Sequence, residues 1–92
     1  MSHTFHEHRH ELHGITVVVD TAGGATFVGR FDSEDERGIH LLDVSRFDVG
    51  QGGTREEYLR RSARYGIRVE QKHLVVPSPD VAQVSRLGEL AI

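Results

Sequence analysis

The sequence predicts a mainly β protein: a small, strongly bent five-stranded barrel with a short amino-terminal helix and a second helix inserted between strands 3 and 4. Three observations carry this expectation. Short apolar runs recur at residues 15–19, 26–31, 39–44 and 67–76 and from Val81 or Ala82 to Leu87, with turn-forming residues between them. Gly29 stands inside the second run, where a glycine marks sharp bending or a close backbone approach. Two other stretches, 5–13 and 55–65, open on helix-capping patterns and lack strand alternation.

Length and composition bound the answer. Ninety-two residues make one domain by the usual rule of roughly 100 to 200 residues each, with no room for a separate catalytic half. Such a chain buries on the order of 60% of its unfolded surface, so a single small core is available and self-association into a homo-oligomer is expected. The chain has no cysteine, which excludes disulfides, thiolate zinc sites and cysteine nucleophiles together. No apolar run approaches the roughly 18 residues of a membrane span, and the first residues lack the apolar core of a signal peptide. A cytoplasmic protein with no membrane partner is the expectation.

The net charge of −3 conceals a polarised chain. Between Asp20 and Asp48, seven acids face three arginines, a net of −4. From Arg55 to Lys72, six bases face three acids, a net of +3. A basic segment of this kind faces solvent, phosphate, or the acidic segment of a neighbouring subunit.

The amino-terminal segment, residues 1–13, holds five of the seven histidines. Thr4 and Glu7 form a capping-box pattern and Gly14 can end a helix, so a short helix over 5–13 is predicted. Phe5 and Leu12 form a stripe on it that can dock on the barrel. His6, His10 and His13 would share one face, whereas an extended chain would align His6, His8 and His10; either arrangement can hold a divalent ion such as zinc or nickel. His6-Glu7-His8-Arg9-His10 matches the short zinc-hydrolase pattern, but that chemistry needs a long buried helix, a third ligand and a cleft, and a metalloprotease is set aside. No metal or other cofactor is required by the sequence.

Residues 14–92 form the single domain. Residues 15–19 are apolar and β-branched, as suits a strand covered on both sides, and 20–24 turn the chain. In the second strand Phe27, Gly29 and Phe31 alternate with Val28 and Arg30. The acidic cluster 32–38 reads as a polar hairpin, and 39–44 returns as the third strand. The layout formed by residues 17–19, Gly23, Gly24, Phe27, Gly29, Phe31, Asp35, Leu42 and Asp43 resembles the first sequence motif of the Sm and Sm-like proteins. That resemblance implies a short helix followed by a strongly bent five-stranded barrel, ring assembly by pairing of edge strands and, in many members, binding of single-stranded RNA. The residues that read a base in that family are missing: the hairpin Glu36-Arg37-Gly38-Ile39 has neither aromatic nor asparagine, and 74–79 lack the arginine-glycine pair. The resemblance therefore supports the fold without the family's uridine pocket.

The glycine-rich stretch 47–53 precedes a second capping box, Thr54 with Glu57, and a helix over Arg55–Tyr65 that stops at Gly66. A phosphate cradle would need a Gly-Lys-Ser/Thr ending, which is absent, so the stretch is read as a flexible tether for a lid-like helix. Arg60, Arg61 and Arg64 cluster on one side of that helix and Arg68 follows it. With Tyr58 and Tyr65 available for stacking, these residues are the candidate contacts for RNA. Pro77-Ser78-Pro79-Asp80 makes the tight connection to the last strand, and 88–92 form an apolar tail read as a frayed end.

None of the six serines stands in a nucleophile elbow or beside a patterned histidine. His40 and His73 fall on predicted strands and read as structural or edge residues rather than general bases. The chain is expected not to be an enzyme. Its functional classes are, in order, an oligomer-forming binding or scaffold module, an RNA-binding protein acting through the arginine-rich helix, and a metal-binding protein acting through His6, His8, His10 and His13.

Overall fold

The computed structural model of the protein describes residues 9–92. Arg9 and His10 are helical and lead into a turn over 11–14, closed by the Leu12 N–H on the Arg9 carbonyl at 3.0 Å. Of the helix expected over 5–13, residues 5–8, with Phe5, His6 and His8, lie outside the described residues, and 11–13 are a turn rather than helix. Gly14 takes the left-handed backbone expected of it, with φ of 83°, and its N–H reaches the Phe31 carbonyl at 2.8 Å. Leu12 packs against the core, as its position on the apolar stripe predicts.

Five strands follow: β1 (Thr16–Thr21), β2 (Ala25–Asp35), β3 (Gly38–Asp48), β4 (Gln71–Pro77) and β5 (Val81–Arg86), with one helix, α1 (Arg55–Tyr65), between β3 and β4. They form one antiparallel sheet in the order β4-β3-β2-β1-β5. The five bent strands expected from the sequence form, but no ladder among the described residues closes them into a barrel. Among the described residues the sheet is open, with β4 and β5 as its two unpaired edges. It is nonetheless curled, because Leu74 and Val76 from one edge strand and Val81 and Val84 from the other meet in the same core. The 3-10 turn Ser78–Asp80 carries the chain from one edge to the other, and Pro79 within it and Pro77 just before it withhold the N–H donors that a continued ladder would need.

The curl has a local cause. Val28 pairs with Ser45 and Arg30 with Leu42, so Gly29 alone opposes Asp43 and Val44. This is a β-bulge, which bends the strand carrying the extra residue and sharpens the sheet's twist. Asp43 adopts φ of 53° to make it, and the Arg30 guanidinium bridges to its carboxylate at 2.9 Å. A Cβ on Gly29 would stand 3.2 Å from both the Leu42 carbonyl oxygen and a Val44 methyl, so the glycine admits the close approach that the sequence implies.

Strands β2 and β3 run further than expected. The acidic residues of the expected loop sit largely on β2, and only Glu36 and Arg37 turn the chain. Asp35 makes that turn tight by accepting the Arg37 and Gly38 N–H groups at 2.9 and 3.4 Å. The fourth strand is shorter than expected: residues 67–70 are irregular, and Glu70 touches the sheet through its N–H on the Val44 carbonyl.

Side chains of β1 point alternately to two apolar layers, and Val17, Val18 and Val19 are all fully buried. Val17 and Val19 join Phe27, Phe31, Ile39 and Leu41 inside the curl. Val18 and Val28 face outward, where Leu59 of α1 and Leu87 cover them. The tail expected to fray is partly anchored, since Leu90 packs on this outer layer.

Candidate nucleic-acid interface

Helix α1 begins on the capping box that its sequence announces. Thr54 Oγ1 accepts the Glu57 N–H at 3.1 Å and the Glu57 carboxylate accepts the Thr54 N–H at 3.0 Å. It ends where the Gly66 N–H bonds the Ser62 carbonyl at 2.9 Å, with φ of 90° at the glycine. Its first turn is clamped to the sheet by Arg55, whose guanidinium makes two hydrogen bonds of 2.8 Å to the two oxygens of Asp20. Acidic and basic segments thus meet inside one chain at this pair, and Arg55 is not available to an external anion.

Leu59 and Ser62 are the buried residues of α1, and the opposite side carries the arginines. Arg60, Arg61, Arg64 and Arg68 are exposed, and none of them forms an ion pair with a described residue. Between α1, the segment 66–70 and the end of β3 lies a groove of about 470 Å³, whose lining includes Tyr58, Arg61, Tyr65 and Arg68. A second hollow on the solvent side of the helix is lined by Arg60, Arg61, Arg64 and Tyr65 with Glu57. All six residues singled out in the sequence therefore border one continuous surface, with Arg61 and Tyr65 on the ridge between its two hollows.

The two tyrosines differ in role. Tyr65 is 77% exposed, and the Arg64 guanidinium sits 5.8 Å from the centre of its ring, a cation stacked on an aromatic face. Tyr58 is part of the wall. Its ring stacks on Phe47 with centroids 5.2 Å apart, and its hydroxyl bonds Ser45 Oγ at 2.6 Å. Burial pushes the Tyr58 phenol above its ordinary value, against the opposing effect of the Ser45 hydrogen bond. Tyr58 is thus held in the groove wall by Phe47 and Ser45, and Tyr65 is the more open of the two aromatic rings. Ser45, Phe47 and Glu70 also line the groove, and no sequence pattern singles them out. The glycines after Phe47 point to a loop there, although its aromatic side chain is itself a strand signal.

Of the four amino-terminal histidines, His6 and His8 lie outside the described residues. His10 and His13 border a small hollow with Asp32 and Glu34, and His13 Nδ1 lies 2.7 Å from the Asp32 carbonyl. Among the described residues, no group of three or more histidines, cysteines or carboxylates is arranged to hold a metal ion. No helix among the described residues is long and apolar enough to cross a membrane.

A bent antiparallel sheet of five strands in this order places the chain among the Sm-like folds. Among solved structures, the Sm protein of Pyrococcus abyssii, determined in complex with a uridine heptamer, is similar over 87% of this chain and 93% of that one, with a TM-score of 0.61 and 17% identity. At that identity the likeness shows the fold. A scan against protein-family profiles and a search of curated proteins returned no match.

Proposed function

We propose that the protein is a non-enzymatic Sm-like module that self-associates through its edge strands. The observation that carries this reading is the open sheet, with β4 exposed at one end and β5 at the other. Each edge presents unpaired main-chain donors and acceptors, the standard template for strand addition. The protection is light: β5 carries no proline or lysine and its one charge is the terminal Arg86, while β4 carries Lys72 and the terminal Pro77. Pairing β5 of one copy with β4 of the next is a head-to-tail contact, which closes into a ring when the rotation between copies permits. Sedimentation velocity at tens of micromolar protein tests this, with a defined oligomer expected. A strict monomer overturns it.

A second reading is favoured by the groove. Arg61, Arg68 and the exposed Tyr65 offer phosphate contacts and a stacking face on one surface, as single-stranded nucleic acid requires. We infer that this surface, rather than the hairpin used by the Sm proteins that the sequence resembles, is where this chain binds RNA. Fluorescence polarisation with a random-sequence single-stranded RNA at low salt is the test. Absence of binding, or binding unchanged when the arginines are reversed to glutamate, overturns it.

A further inference from the structure

His40 and His73 are 33 residues apart in sequence, and nothing in the chain's spacing connects them. The ladder between β3 and β4 does. His40 pairs with Val75 and Leu42 with His73, so the two histidines occupy diagonal positions on the same outward face of the sheet. Their side chains meet: His40 Nδ1 lies 3.2 Å from His73 Nε2, with the rings stacked at 5.4 Å between centroids. The other nitrogen of His40, Nε2, lies 3.0 Å from Asp35 Oδ2. Asp35 is itself held by the Arg37 and Gly38 N–H groups.

We propose that His40 and His73 are the protein ligands of a divalent transition-metal site that takes zinc, with Asp35 as the residue that positions His40. The separation is the first argument. Two nitrogens each about 2.0 to 2.1 Å from a tetrahedral ion stand roughly 3.3 Å apart, which the pair matches before any ion is bound. The second argument is the tautomer. An ionised carboxylate can only accept, so Asp35 takes the Nε2–H of His40 and leaves the Nδ1 lone pair facing His73. In the absence of metal, the Nε2–H of His73 bridges to that lone pair. When the His73 proton resides on its own Nδ1 instead, two lone pairs face the same small space, and a cation is what satisfies both.

The third argument is the support around the pair. A carboxylate–histidine–metal arrangement, with the carboxylate fixed by further hydrogen bonds, is the usual outer shell of a metal site. Here its members stand on three neighbouring strands, Asp35 at the end of β2, His40 on β3 and His73 on β4. The His40 side chain is 14% exposed and fixed in place, whereas His73 is exposed and gives the ion its way in. With two protein ligands, water completes the coordination, so affinity is moderate and the site remains open to a further ligand. It involves none of the amino-terminal histidines.

The test uses the full-length chain with His3, His6, His8, His10 and His13 replaced by asparagine, so that the tail cannot contribute. Calorimetric titration with zinc chloride is expected to show one equivalent bound. Adding His73→Gln is expected to weaken binding at least tenfold, and adding Asp35→Asn to weaken it about 10- to 100-fold, as loss of an orienting carboxylate does. Circular dichroism of each variant checks that the fold is retained; His73 is on the surface, and its replacement disturbs no core packing. If the tail-substituted protein binds no zinc, or binds it equally well after His73→Gln, the proposal is overturned.

Discussion

The Tyr58 hydroxyl and Ser45 Oγ stand 2.6 Å apart, joining the inserted helix to the third strand at the base of the arginine-lined groove. Ser45 is only 3% exposed, so this bond satisfies a hydroxyl that water does not reach. Tyr58→Phe removes the partner and leaves the serine unsatisfied, a loss of about 1 to 3 kcal/mol. Urea denaturation followed by circular dichroism measures it. Replacing Ser45 by alanine as well is expected to recover part of the loss, because no buried hydroxyl is then stranded.

The same tyrosine sets an alkaline limit. Burial raises the Tyr58 phenol above the 10.0 of an unfolded chain, so on alkalinisation the unfolded state releases its proton first. Its contribution to stability is complete below about pH 10 and is lost as pH rises through the higher folded value. Unfolding midpoints are expected to fall with pH above that point, and to fall less steeply in Tyr58→Phe.

Leu59 is fully buried and is the apolar anchor of α1 on the sheet. Leu59→Ala leaves a cavity over Val18 and Val28 and is expected to cost about 2 to 5 kcal/mol. In a domain this small that is a large share of the total. A thermal melt monitored by calorimetry checks it.

Gly38 closes the turn between β2 and β3 with φ of 147°, and a Cβ there would run into the Val76 carbonyl oxygen of β4. Gly38→Ala must displace the edge strand or twist the turn. A loss on the order of 3 kcal/mol is expected from the backbone strain and the broken ladder. Amide hydrogen exchange would show protection falling first in β4.

Arg61 and Arg68 border the groove together. If each neutralises one phosphate, reversing both to glutamate weakens binding of single-stranded RNA across all sequences. It also flattens the salt dependence, by about 0.7 in the log–log slope for each phosphate no longer neutralised. A polarisation titration repeated at several salt concentrations reads both effects.

The limits of α1 are legible in the sequence to the residue, because Thr54, Glu57 and Gly66 are local signals that no tertiary packing overrides. The bend at Gly29 is legible for the same reason, whereas the bulge partner Asp43 is not, since a non-glycine residue at positive φ leaves no trace in composition. The acidic run 32–35 resembles a loop because charge on an exposed strand face looks the same as charge in a turn. Strand count and curvature suggest closure of the barrel, but which edges pair is a long-range property that five strand patterns do not encode. Within the candidate site, helical spacing reveals the arginines, while the burial of Tyr58 against Phe47 depends on a strand running well past its expected end.

Leu59 is supplied by a segment that interrupts the strand meander, yet it seals the outward side of β1 and β2. Trimming 50–68 to a plain hairpin would strip Tyr58, Leu59 and Ile67 from Val18 and Val28, and leave Leu87 and Leu90 as their remaining cover. The meander is not a portable unit, and any graft of this sheet onto another scaffold must carry the helix with it.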